Sequence, residues 1–250
     1  MLSLLSKWGI VGPMETPPAA TARDRIRAEL TEEIKQIARR HLAEQGSAAL
    51  SLRAVARELG MVSSAVYRYF PSRDDLLTAL IVDAYDAVAD ALEEADAARR
   101  RADLLGRWLA VAHALRAWAV ARPQEYALIY GSPVPGYRAP VDTIDPATRV
   151  SLVMLRLIAD GVESGAIVAG PAVTVPKAVR ADFGILRDFA EIDPATAPDS
   201  VISRGLLVWT ELFGTLSFEL FGHLHNVIHD YDAFFDLQMR RSGHYLLTGT

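Results

Sequence analysis

Gly60 and Pro71 restrict the fold of this chain more than any other residues. Each interrupts helix-forming sequence, and the segment between them has room for only a turn or two of helix. Glycine tolerates the left-handed backbone that a sharp turn between helices needs. Proline lacks the N–H that a continuing helix would use, so a helix ahead of it must stop by Phe70. On the N-terminal side, Ser51 is a candidate cap whose hydroxyl can accept a free N–H of a first turn. Leu52, Val55, Ala56 and Leu59 then recur at i, i+3, i+4 and i+7, one apolar stripe that leaves Arg53 and Arg57 toward solvent. Beyond the glycine, Ser63 is a second candidate cap, and the spacing predicts a helix over 63–69. Ser72 and Asp75 form the pattern of a capping box that starts the next one.

Two short helices joined by a tight turn and followed at once by a third make the pattern of a helix-turn-helix. The second helix has only Ser64 and Ala65 near its start, so no bulky side chain holds it away from base edges in a major groove. Tyr67, Arg68 and Tyr69 follow, and Arg73 opens the next helix within reach of a phosphate. An ordinary turn between two amphipathic helices, with its tyrosines and arginines merely on the surface, satisfies the same periodicity.

The particular residues distinguish these readings. Ile26, Leu30, Ile34 and Ile37 in a first helix, then LSLRAVARELGMVSSAVYRYFPSRDDLL, closely resemble the N-terminal domain of the TetR family of bacterial transcriptional regulators over about 25–80. The resemblance implies that Tyr67 and Arg73 contact phosphates, that the face from Ser63 to Arg68 meets base edges, and that Phe70 packs inside. Ala65 stands where the family often has threonine, and Arg73 where it usually has lysine, which keeps the charge but changes its geometry. The expected DNA-contacting set is Ser51, Arg53, Ser63, Ser64, Ala65, Tyr67, Arg68 and Arg73.

The formal net charge of −5 is unevenly spread. Residues 21–75 hold ten Lys and Arg against eight Asp and Glu, whereas 76–250 hold fifteen against twenty-two. The relatively basic part is the one that phosphate binding requires, and the acidic remainder must face away from DNA. The chain has no cysteine, in agreement with a reducing cytoplasm, and so neither disulfide nor thiolate metal site. Residues 1–20 read as a flexible extension, too interrupted by Lys7 and Gly9 to span a membrane and too poor in leading positive charge for a secretion signal; Met14 is a candidate natural start.

The remaining sequence predicts an all-α chain, with a helix-turn-helix domain over 21–75 and a larger helical domain over 76–250. Periodicity and proline spacing predict helices over 74–101, 102–122, 123–130, 146–165, 177–190, 200–225 and 231–247. RPQEYALIYGSPVPGY and WTELFGTLSFELFGHL resemble the C-terminal domain of a TetR subgroup with a Trp-His-Gly signature. Trp209 and Gly214 match, and Phe213 replaces the histidine. This resemblance implies a bundle that binds a small molecule and dimerises through its last helices. Trp108, Tyr126, Tyr130, Met154, Phe183, Trp209 and Phe213 are the expected lining of an apolar pocket, although most aromatics in any helical bundle are core. Leu206, Leu207, Leu212, Leu216, Phe234, Phe235 and Leu246 are the expected dimer contacts.

His225 and His229 share an i, i+4 spacing with His223 nearby, but no cysteine or carboxylate completes a ligand set, so no metal is expected. No cofactor or catalytic motif appears: there is no G-x-S-x-G, Walker loop, G-x-G-x-x-G or H-E-x-x-H. Three readings stand: a ligand-responsive regulator, a constitutive dimeric DNA-binding protein, and a helical enzyme that carries a helix-turn-helix. The first is favoured, as a cytoplasmic homodimeric repressor released from a palindromic operator on double-stranded DNA by a small apolar ligand.

Overall fold

The computed structural model describes residues 21–189 and 191–250, so the expectations for the opening segment and Met14 lie outside the described residues. These residues form ten α-helices with no strand among them. α1 (Ala22–Gln45) opens on a capping box in which the Thr21 hydroxyl accepts the Asp24 N–H and the Asp24 carboxylate accepts the Thr21 N–H. Its core contacts begin at Leu30, so the first turns overhang, and Ile26 is exposed rather than part of the apolar stripe.

After a 3-10 turn (Ser47–Ala49) comes α2 (Leu52–Glu58), whose N-cap Ser51 faces the Ala54 N–H at 3.5 Å. Gly60 then adopts φ +66°, the left-handed turn expected of it. α3 is shorter than its sequence suggests. It spans Ser63–Val66, with Val62 as N-cap, and Ser63 sits in the first turn without a side-chain capping bond. From Val66 the chain tightens, with the Tyr69 and Phe70 N–H groups both donating to the Val66 carbonyl, because Phe70 must swing into the core ahead of Pro71.

α4 (Arg73–Ala97) starts where Ser72 accepts the Asp75 N–H and donates to the Asp75 carboxylate, and it ends four residues short of Arg101. It belongs to two apolar clusters. Leu76, Leu77, Leu80 and Ile81 join α1, α2, Val66 and Phe70, while Ala84, Val88, Ala89 and Leu92 join the larger bundle. The core of the small domain therefore extends past Asp75 into the first turns of α4.

The larger bundle adds α5 (Leu104–Ala121), α6 (Pro123–Tyr130), α7 (Ile144–Glu163), α8 (Lys177–Phe189), α9 (Asp199–Leu220) and α10 (Tyr231–Thr248). α7 begins ahead of Pro146, which the first turn accommodates because N–H groups there have no intrahelical partner. α9 stops at Leu220 instead of His225, where Gly222 takes φ +77°. α6 and the loop after it rest on the small domain through Leu128, Ile129, Val134 and Tyr137, and the Tyr137 and Thr78 hydroxyls meet at 2.9 Å. Buried Arg107 joins Asp96 and Asp160, and Arg149 ties α7 to Asp86, Asp90 and Glu93 of α4.

Candidate nucleic-acid interface and ligand cavity

A four-residue helix cannot hold itself in place, since nucleation costs more than so few hydrogen bonds return. α3 is held by fully buried Val66 and, behind it, by Arg27 of α1, whose guanidinium lies 5.3 Å from the Tyr69 ring centre and donates to the Arg68 carbonyl. The outer surface presents Ser64, Tyr67 and Arg68 as exposed residues, with Ser63 and Ala65 half-buried beside them. Ser51 is half-buried and Arg53 and Arg57 are exposed on α2. Among the described residues no carboxylate lies within ion-pair distance of Arg53, Arg57 or Arg68. Glu58, the acidic residue of α2, is taken by Arg40 at 2.6 Å and His41 at 2.7 Å. Hydrogen bonds from Arg40, then His41, hold its carboxyl below the usual glutamate range. The face thus combines unpaired cations, small hydroxyls and a phenol, a set able to meet both phosphate oxygens and base edges. Sequence reasoning missed Val62, which is 71% exposed beside α3 and chemically suited to a thymine methyl.

Arg73 is placed differently from the other members of the expected set. Its Nη2 donates to the Ser47 carbonyl at 2.6 Å and its Nε to the Leu50 carbonyl at 3.2 Å, with Asp74 beside Nη1. In the free protein it fastens α4 to the link between α1 and α2.

In the larger domain three adjoining hollows meet at Ser151 of α7, with volumes of about 620, 440 and 100 Å³. The largest runs from Ile81 and Tyr85 of α4 past Tyr137 to Leu186 and Phe189. The middle one is aromatic, lined by Tyr85, Tyr126, Tyr130, Trp209 and Phe213, and the narrowest passes Met154 and Ile158 to Gly205. The expected residues Tyr126, Tyr130, Met154, Trp209 and Phe213 are therefore together. Trp108 and Phe183 are not with them: Trp108 is core, its indole N–H donating to the Met239 carbonyl at 2.7 Å, and Phe183 is buried beneath α8. Tyr85 and Ser151 were missed, because Tyr85 continues the apolar stripe of α4 and a lone serine on a helix carries no signal.

Tyr126 bonds the Ser217 hydroxyl at 2.8 Å and the Phe213 carbonyl at 3.2 Å. The buried Tyr130 hydroxyl has no partner among the described residues, and burial pushes this phenol far above its ordinary value, so it stays neutral. Among the described residues no Lys, Arg, His, Asp or Glu lines any of the three hollows.

The expected dimer contacts divide into buried and exposed residues, with Phe234 half-buried between them. Leu212, Leu216, Phe235 and Leu246 are fully buried in the chain's own fold, because α10 packs against α5 and α9. Leu206 and Leu207 are exposed, as are Phe218, Phe221, Leu237 and Tyr245. His223 and His225 lie in turns after α9 and His229 precedes α10, so no helix places an imidazole pair on one face. Among the described residues no cluster of His, Cys, Asp and Glu is suited to a metal, and no helix is long and apolar enough to cross a membrane.

The model of the bacterial regulatory proteins of the tetR family matches residues 36–80, and that of the tetracyclin repressor-like C-terminal domain matches 108–242. The HTH-type transcriptional regulator Rv1816 of Mycobacterium tuberculosis is 42% identical over 225 residues, covering 88% of this chain and 91% of the relative. The HTH-type transcriptional regulator Mb1846 of Mycobacterium bovis matches equally. Among solved structures, the regulatory protein SCO4313 shares 39% identity at a TM-score of 0.72, over 89% of this chain and 98% of its own. PfmR of Thermus thermophilus, a TetR family regulator at 18% identity and a TM-score of 0.52, shares the fold over 86% of this chain and 96% of its own.

Proposed function

We infer that this chain, which belongs to the TetR family of bacterial regulatory proteins, is a repressor that a small apolar ligand releases from DNA. Family membership makes it a helix-turn-helix transcriptional regulator and not an enzyme. The observation that carries the ligand response is the sharing of α4. Leu76 and Leu77 pack in the small domain with Val66, and one to two turns later Ile81 and Tyr85 line the widest of the three hollows that meet at Ser151. A molecule in that hollow touches the helix on which the DNA-reading face is mounted.

One α3 covers too little DNA for high specificity, so the reading unit is a two-fold dimer on a palindromic site, working in the bacterial cytoplasm. Leu207, Phe218 and Leu237, left uncovered on α9 and α10, supply its contact. Val62, Ser63, Ser64, Ala65 and Arg68 read bases, while Ser51, Arg53 and Tyr67 meet the backbone. Two heads must match half-sites about 34–36 Å apart, so a shift of α4 loses contacts on one side. A ligand moves this balance only by its preference between the two arrangements, and about 1.4 kcal/mol of preference lowers DNA affinity tenfold.

The test selects bound duplexes from a random DNA pool, footprints them, and repeats the footprint with uncharged apolar compounds. A protected palindrome that weakens as a compound binds is the expected result. Tight compounds that leave operator affinity unchanged would return the chain to a constitutive DNA-binding protein.

A further inference from the structure

We propose that the hollow around Ser151 takes an uncharged, elongated molecule bearing one hydrogen-bond acceptor that meets the Tyr130 hydroxyl. This rests on the reading of the chain as a ligand-responsive regulator and adds the chemical class of the ligand.

Three observations converge. The first is charge: among the described residues no Lys, Arg, His, Asp or Glu lines any of the three hollows. Arg149, also on α7, is fully engaged with Asp86, Asp90 and Glu93 of α4. A carboxylate seated among the rings of the aromatic hollow would lose much of its hydration and find only neutral hydroxyls and no cation, which does not offset that cost. An ammonium would meet ring faces of Tyr85, Tyr126, Tyr130 and Phe213, which attract cations, but no counter-charge.

The second is shape. Volumes of about 440 and 620 Å³ each suit the body of a small molecule, whereas the 100 Å³ cleft admits only a narrow chain. Because all three share Ser151, an occupant that uses more than one must be long rather than round.

The third is an unmet hydrogen bond. Among the tyrosines of the aromatic hollow, Tyr126 has the Ser217 hydroxyl and the Phe213 carbonyl, and Tyr85 reaches the Ile129 carbonyl at 3.4 Å. Tyr130 has neither a donor nor an acceptor among the described residues, although its ring lies 4.6 Å from that of Phe213 and 5.2 Å from that of Tyr126. A buried hydroxyl without a partner is costly, and a ketone, ester or ether oxygen on a ligand that parts the surrounding rings to reach it removes that cost. The phenol stays neutral, so it is available as a donor.

The test uses the full chain and the uncharged hydrocarbon fluorophore diphenylhexatriene, displaced in turn by 2-undecanone, undecanoate and decyltrimethylammonium. The ketone should displace it at least tenfold more tightly than either ion. Tyr130→Phe should weaken the ketone about tenfold while leaving the hydrocarbon's affinity and the melting temperature no lower than in the parent. Ser151→Phe, at an exposed position where the hollows meet, should weaken all uncharged probes. Failure of the fluorophore to bind, an ion binding as tightly as the ketone, or an unchanged ketone affinity in Tyr130→Phe would each overturn the assignment. Operator release is measured separately. A ketone that binds as expected without loosening the operator refutes the regulatory reading and leaves the cavity chemistry standing.

Discussion

Arg73→Ala separates a scaffold role from a DNA-contact role, which sequence and structure assign to the same guanidinium. The perturbation removes two charge-assisted hydrogen bonds, to the Ser47 and Leu50 carbonyls. Bonds of this kind contribute about 1.5–3 kcal/mol each when well buried. The Arg73 side chain is 30% exposed, and water can replace part of what is lost, so about 2 kcal/mol in total is the working figure. For a chain of this size that corresponds to a fall of about 4–8 °C in melting temperature. Arg73→Lys keeps the charge but not the fork, and should recover about half. Thermal unfolding and operator affinity across a salt series read the two roles independently. Loss of the fastening between α4 and the link after α1 lowers operator affinity at every salt concentration with the slope unchanged. A direct phosphate contact instead lowers the slope of log affinity against log salt by about 0.9. A slope reduced by that amount with an unmoved melting temperature would refute the scaffold assignment.

Arg53→Ala and Arg68→Ala remove cations with no carboxylate partner among the described residues, so each should reduce the salt slope by about 0.9 if it meets a phosphate; Arg68→Ala should relax sequence preference if it reads a base. Phe218→Asp or Leu207→Asp should convert a dimer of about twice 27.3 kDa into a folded monomer by light scattering, whereas Leu212→Ala, at a fully buried position, should cost about 2–5 kcal/mol of stability instead. The Glu58 carboxyl is held low by Arg40 and His41, so its contribution is present above the ordinary glutamate value of 4.5 and is lost as pH falls below it. The melting temperature of Glu58→Gln should therefore fall less than that of the parent between about pH 5 and 3; equal slopes would remove Glu58 from the acid sensitivity.

The helices were legible wherever a cap, a glycine or a proline punctuated an apolar stripe. Ser51, Gly60, Ser72 and Pro123 each mark an element end that the fold uses. The reading failed where tertiary packing overrides local chemistry. Ser63 looks like a cap, but the chain has already entered α3 at that point, and the demand that Phe70 turn inward shortens the helix. Amphipathic pattern also cannot say which of two partners an apolar face meets. Leu212 and Leu207 both read as interface residues, yet α5, α7 and α10 claim one and leave the other bare. The pocket was half legible for the same reason: Trp108 and Trp209 are alike in sequence, and only the three-dimensional arrangement buries the first against Met239 and leaves the second beside a hollow.

The undivided length of α4 has a mechanical consequence. With 1.5 Å of rise per residue, Ile81 lies about 10 Å and Arg73 about 22 Å from Val88, where the helix is clamped in the larger bundle. A rigid rod pivoting at Val88 has a gain of about two, so an ångström of push beside Ile81 displaces the Arg73 end by about two ångströms. In a two-fold pair, opposed strokes would change the spacing of the reading heads by about four ångströms, a tenth or so of the pitch they must match. Break the rod between Ile81 and Val88, with glycines at Ala84 and Ala87, neither of which lines the hollows, and the same occupant would still bind but its stroke would be spent in the hinge.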